Sequence, residues 1–146
     1  MPGKYARLAV DRTLAEEFSL KVKKIGRRPS EVIEAALHAL VDAVDHGIDP
    51  IDMVHICRIA RSIGPGKSGY EVGVNAGVLL RAYYKPAEFL EIIARVGPQI
   101  LSAYRVGPEV FRVPDGQVRT TLCGIFTGVG CQCSEEQEFL KVNCSK

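Results

Sequence analysis

The chain has no tryptophan, and only two methionines and two asparagines among its 146 residues. Scarcity of thermolabile side chains is a habit of thermophile proteins, and hyperthermophile cytosols are an exception to the rule that intracellular thiols stay reduced. No apolar run reaches the roughly 18 residues of a membrane span. The opening MPGKYARLAV lacks the uninterrupted apolar stretch of a secretory signal. The expectation is a cytoplasmic protein with no membrane partner. Neither sign of charge dominates: 19 Lys and Arg stand against 17 Asp and Glu, a net charge of +2, so composition alone announces no polyanionic partner. No nucleophile–base pair or paired-carboxylate motif stands out, which leaves no case for an enzyme. His38, His46 and His55 lack metal-site spacing. No internal repeat is visible. With 47% hydrophobic and 25% charged residues, the chain has a globular balance that excludes disorder over most of its length.

What is present begins with a change of period. Between Lys4 and Val10, Ala6, Leu8 and Val10 alternate with Tyr5, Arg7 and Ala9, the period of a short strand. From Thr13 to Ile25 the apolar residues Leu14, Phe18, Val22 and Ile25 fall on one helical stripe, and Gly26 supplies a stop. A second helix is predicted over Ser30–Asp45, with Ile33, Leu37, Leu40, Val41 and Val44 on its core face, opened by Pro29-Ser30 and closed by His46-Gly47. Of the eight Lys and Arg in residues 1–47, five lie between Lys21 and Arg28. A lone strand needs a partner for its backbone groups, and nothing else in residues 1–47 offers one. A second copy of the chain, pairing strand to strand about a two-fold axis, solves this and buries the two amphipathic helices.

The run ARLAVDRTLAEEFSLKVKKIGRRPSEVIEAALHALV, above all Gly26 through Leu40, resembles the ribbon-helix-helix superfamily typified by the Arc and methionine repressors. The resemblance covers residues 4–46. It implies an intertwined homodimer, or a higher even oligomer, that reads double-stranded DNA with its paired strands in the major groove. Tyr5, Arg7 and Ala9 would then be the base-reading residues. Arg7 suits the guanine edge, Tyr5 a single hydrogen bond and the Ala9 methyl a thymine methyl. Lys24, Arg27, Arg28 and Ser30 would meet phosphate beside the free N–H groups of the second helix. One departure is Arg27-Arg28-Pro29, where many members place Ser or Thr as the cap; Pro29 removes a donor and shifts weight to the arginines.

Gly47-Ile48-Asp49-Pro50 reads as a boundary, followed by a second domain over residues 50–146. Its predicted elements are a buried helix over Pro50–Ile63, a glycine-rich loop over Gly64–Gly69, and helices over Val72–Tyr84 and Pro86–Val96, the last stopped by Gly97-Pro98. Two strands, Glu109–Val113 and Val118–Phe126, are expected to form a hairpin around Pro114-Asp115-Gly116. The last 20 residues suit a strand or a short helix equally. Gly64-Pro65-Gly66-Lys67-Ser68 has the end of a phosphate-binding loop, but Arg61 stands where the first glycine belongs and a helix precedes it.

Of the five cysteines, Cys123, Cys131, Cys133 and Cys144 fall within 22 residues, and Cys57 stands apart. Four thiolates suit zinc or an iron–sulfur cluster, although C-x7-C-x-C-x10-C matches no standard spacing. Disulfides and plain packing are the other readings. Cys131 and Cys133 are too close to bridge each other comfortably, so a bonding role would tie the C-terminal end to the segment holding Cys123. The chain thus reads as an α+β regulator: a DNA-binding dimer followed by a domain that senses a small-molecule effector or oligomerises. Rival readings are an antitoxin-like regulator that binds a protein partner, and a metal or redox protein whose N-terminal module only dimerises.

Overall fold

The computed structural model describes residues 7–145. They form six helices and one four-stranded antiparallel sheet, an α+β chain that divides into two compact units at Ile48–Asp49.

The first unit holds helices α1 (Arg12–Lys24) and α2 (Pro29–Asp45). Asp11 starts α1, its carboxylate accepting from the Leu14 N–H at 2.9 Å. Lys21, Lys23 and Lys24 in the last turn oppose the negative end of its dipole. Both helices stop in the same way. After α1, Gly26 (φ +79) donates to Lys23 and Arg27 donates to Val22. After α2, Gly47 (φ +77) donates to Val44 and Ile48 to Ala43. Each is a Schellman ending, which needs the left-handed backbone that glycine adopts without penalty. Of the expected strand, residues 4–6 lie outside the described residues. Residues 7–10 take no regular structure in this single chain, where no second strand of this unit occurs among the described residues.

The second unit contains helices α3 (Pro50–Ile63), α4 (Tyr70–Leu80), α5 (Pro86–Ile100) and α6 (Gly116–Val129), and strands β1 (Tyr104–Gly107), β2 (Val110–Arg112), β3 (Gln132–Glu136) and β4 (Phe139–Asn143). The strand order is β1-β2-β4-β3. Phe111 faces Leu140 in the β2–β4 register, and Cys133 faces Val142 in the β3–β4 register. The buried face of the sheet joins Phe89 and Phe126 in the core, with Phe126 ring centroids 5.5 Å from Phe89 and 5.8 Å from Phe111.

Two expectations are corrected here. Residues 118–126 are not the second strand of a hairpin but the middle of α6. Asp115, expected in a turn, caps that helix by accepting from the Val118 N–H at 3.0 Å. The strand 110–112 pairs instead with β1 and β4. The tail, left open between strand and helix, is the β3–β4 hairpin. The second correction is smaller: α5 passes through Gly97-Pro98 to Ile100. A proline this near a helix end deletes a single backbone bond and can keep its ring exposed, as Pro98 does.

The reason for a helix at 116–129 lies 50 residues earlier. Gly73 and Gly77 on α4 face Gly124 and Gly128 on α6, and a Cβ at any of the four would overlap backbone of the other helix. Gly73 meets Thr121 and Gly124 while Gly77 meets Ile125 and Gly128, so the two helices run parallel with their backbones in contact. Close packing along a small-residue ridge overrides the strand preference of Val118, Thr120 and Thr121. Across the seam the Gly69 N–H donates to the Thr121 hydroxyl at 2.8 Å.

Candidate nucleic-acid interface

The first unit cannot cover its own apolar stripe. Among its described residues only Val22 and Ala43 are buried, whereas Leu8, Val10, Leu14, Ile33, Leu37, Val41 and Val44 are each 41–67% exposed. Two helices and an extended arm offer too little surface to enclose a core. The exposed stripe comprises the residues that the two-period and the 3.6-period assigned to the inside, which marks it as a face that lacks its cover.

Tyr5 lies outside the described residues. Arg7 and Ala9 are exposed on the arm that precedes α1. Lys24, Arg27, Arg28 and Ser30 come together around the Gly26 turn, all exposed. Pro29 occupies the first position of α2 and Arg28 caps it without a side-chain bond, so the first turn keeps N–H groups pointing outward. Sequence reasoning missed Glu31 here. Its carboxylate lies 3.2 Å from Arg27 Nη1 and 3.8 Å from Arg28 Nε, holding both guanidiniums back on the first turn of α2. Exposed pairs of this kind are worth about 0–1 kcal/mol, so a phosphate can displace Glu31 from either arginine. The i, i+3 and i+4 spacing of Arg27, Arg28 and Glu31 was the available signal.

The second unit holds a different set of polar groups. His55 Nδ1 lies 2.5 Å from the hydroxyl of buried Tyr84, and the Arg58 guanidinium sits 4.5 Å from the Tyr83 ring centroid. Burial pushes the His55 pKa below its ordinary value; Arg58 and Arg95 act in the same direction, against Asp52 and Glu88. Asp52 Oδ1 is 2.9 Å from Arg95 Nη2 yet off the line of any N–H, so that pair is a charge contact rather than an aligned hydrogen bond. On the outer face of the sheet a shallow recess of about 370 Å³ runs between Val110, Ser134, Lys141 and Asn143.

The four clustered cysteines form two pairs, Cys123–Cys133 and Cys131–Cys144, with Cα separations of 5.6 and 4.4 Å. The first joins α6 to β3. The second joins the chain just before β3 to the chain just after β4, directly across the hairpin. Cys57 is free and exposed. No group of three or more His, Cys, Asp or Glu is placed to hold a metal among the described residues. A tetrahedral zinc or iron–sulfur site at Cys123, Cys131, Cys133 and Cys144 would require both bonds to open, because the thiolate is the ligand. The loops closed are 10 and 13 residues in sequence separation, which the chain-entropy account values at about 3 kcal/mol each.

No family model matches the chain, and no curated protein or solved structure matches it either. Among the described residues no helix is long and apolar enough to cross a membrane.

Proposed function

We propose that the chain is a sequence-specific DNA-binding regulator that acts as a homodimer through its first 48 residues. The observation that carries this reading is the uncovered stripe of Leu8, Val10, Leu14, Ile33, Leu37 and Val41, on an arm and two helices that bury almost nothing alone. A second copy provides the same stripe about a two-fold axis, and supplies the strand that the arm at residues 4–10 needs for its backbone groups. Paired in this way, the arms present Tyr5, Arg7 and Ala9 to base edges, and each Gly26 turn offers Lys24, Arg27, Arg28 and Ser30 to a phosphate. The second unit is the effector or oligomerisation domain of the regulator.

The test has two parts. Sedimentation of the purified chain is expected to give an even oligomer that Leu8→Pro converts to monomer, because proline removes a ladder donor and an apolar side chain together. A gel shift on the DNA upstream of its own gene is expected to give a salt-sensitive, sequence-selective complex. A folded wild-type monomer overturns the dimer, and equal affinity for all duplexes overturns sequence reading.

A further inference from the structure

The two cysteine pairs differ in access. Cys123, Cys131 and Cys144 are 3%, 5% and 6% exposed, whereas Cys133, on edge strand β3, is partly exposed. Thiol–disulfide exchange needs a thiolate to approach one sulfur of the bond directly. Among the four, only Cys133 is more than marginally exposed, so its sulfur is the one a thiolate reaches with the least opening of the fold. The pairs also do different work. Cys123–Cys133 fastens β3 to α6, while Cys131–Cys144 fastens the open end of the β3–β4 hairpin to itself, as the neighbouring Gln132–Asn143 register requires.

We propose that this quartet is a two-step redox site, reduced first at Cys123–Cys133 by a dithiol that attacks Cys133, and only later at Cys131–Cys144. In the first step a thiolate of the dithiol bonds to Cys133 Sγ and the Cys123 thiolate leaves. The second thiolate of the dithiol then attacks its own sulfur in the mixed disulfide and releases Cys133. The dithiol becomes a cyclic disulfide, and Cys123 and Cys133 each take up one proton, so two electrons and two protons are transferred. A monothiol is a poor reductant here. The Cys123 thiolate is held beside the mixed disulfide and re-closes the bond before a second monothiol arrives. The product of step one is a distinct state, with the hairpin still closed by Cys131–Cys144 but held to α6 only by non-covalent contacts such as Arg119 and Thr120 with Glu135. Nothing in this depends on residues 1–48, so it stands or falls separately from DNA binding.

The experiment uses the full chain purified without reductant. It is exposed to dithiothreitol, or to glutathione at equal total thiol, then alkylated, digested and mapped by mass spectrometry over time. Cys123 and Cys133 are expected to become alkylated about tenfold sooner than Cys131 and Cys144, with glutathione markedly slower than dithiothreitol. The double variant Cys123→Ala, Cys133→Ala is expected to melt at the midpoint of the half-reduced wild type, below that of the oxidised chain. Simultaneous reduction of the two pairs, reduction of Cys131–Cys144 first, or alkylation of all five cysteines before any reductant is added overturns the proposal. So does a double variant that melts with the oxidised wild type.

Discussion

The Arg81 guanidinium donates from Nε to the Gly128 carbonyl oxygen at 2.6 Å. Arg81 ends α4, and Gly128 belongs to the last turn of α6, whose carbonyls have no partner within their own helix. One cation thus sits at the negative end of the neighbouring parallel helix and bonds it directly. Arg81→Met is expected to cost about 1–2 kcal/mol, read as a lower thermal midpoint with the fold retained by circular dichroism. Unchanged stability would show that water replaces the guanidinium without loss.

The glycine seam should tolerate far less. Gly124→Ala places a methyl on the Tyr70 carbonyl oxygen, and both groups belong to rigid backbone. The expected loss is about 3 kcal/mol or more. Gly116→Ala is the control, since a Cβ there meets only Arg119 Nη2 at 3.6 Å, an ordinary van der Waals contact. Urea titration of both variants separates a packing seam from a general dislike of alanine in α6.

On DNA, Arg7→Ala and Arg28→Ala should fail differently. The first is expected to cost about 1–3 kcal/mol on the preferred site and to flatten discrimination at one base position. The second is expected to weaken binding to every sequence and to lower the salt slope by about one unit. Glu31→Gln, which releases Arg27 and Arg28 from their shared carboxylate, is expected to tighten binding generally. Binding isotherms at several salt concentrations distinguish the three, and identical behaviour of Arg7→Ala and Arg28→Ala would contradict the groove and phosphate roles.

The second unit should lose stability in mild acid. His55 has its pKa lowered from 6.5 on folding, chiefly by burial and then by Arg58. As pH falls through the ordinary histidine value the unfolded chain takes up the proton first, so stability declines there. The decline levels off once the folded-state value is passed. His55→Gln is expected to flatten the thermal midpoint against pH over that window. A wild-type profile already flat between pH 7 and pH 5 would sink the assignment.

The sequence made the first two helices legible because period and punctuation agreed: Leu14, Phe18 and Val22 set the face, and Gly26 and Gly47 set the ends. It also excluded a comfortable bond between Cys131 and Cys133, while leaving metal, disulfide and packing open for the four clustered cysteines. It failed at 116–129, where Pro114-Asp115-Gly116 and a β-branched run are equally good turn-and-strand or cap-and-helix signals. The deciding information was non-local, in the matched four-residue spacing of Gly73, Gly77, Gly124 and Gly128. The His55–Tyr84 bond was invisible for the same reason, since it joins residues 29 apart.

That seam also orders events while the chain is being made. Gly69 waits for Thr121, 52 residues downstream, so the ridge on α4 stays bare until α6 has left the ribosome. The arm and its two helices emerge much earlier, with their apolar stripe equally bare. If two copies pair as proposed, the stripes of neighbouring nascent chains can meet before the domain that follows has closed.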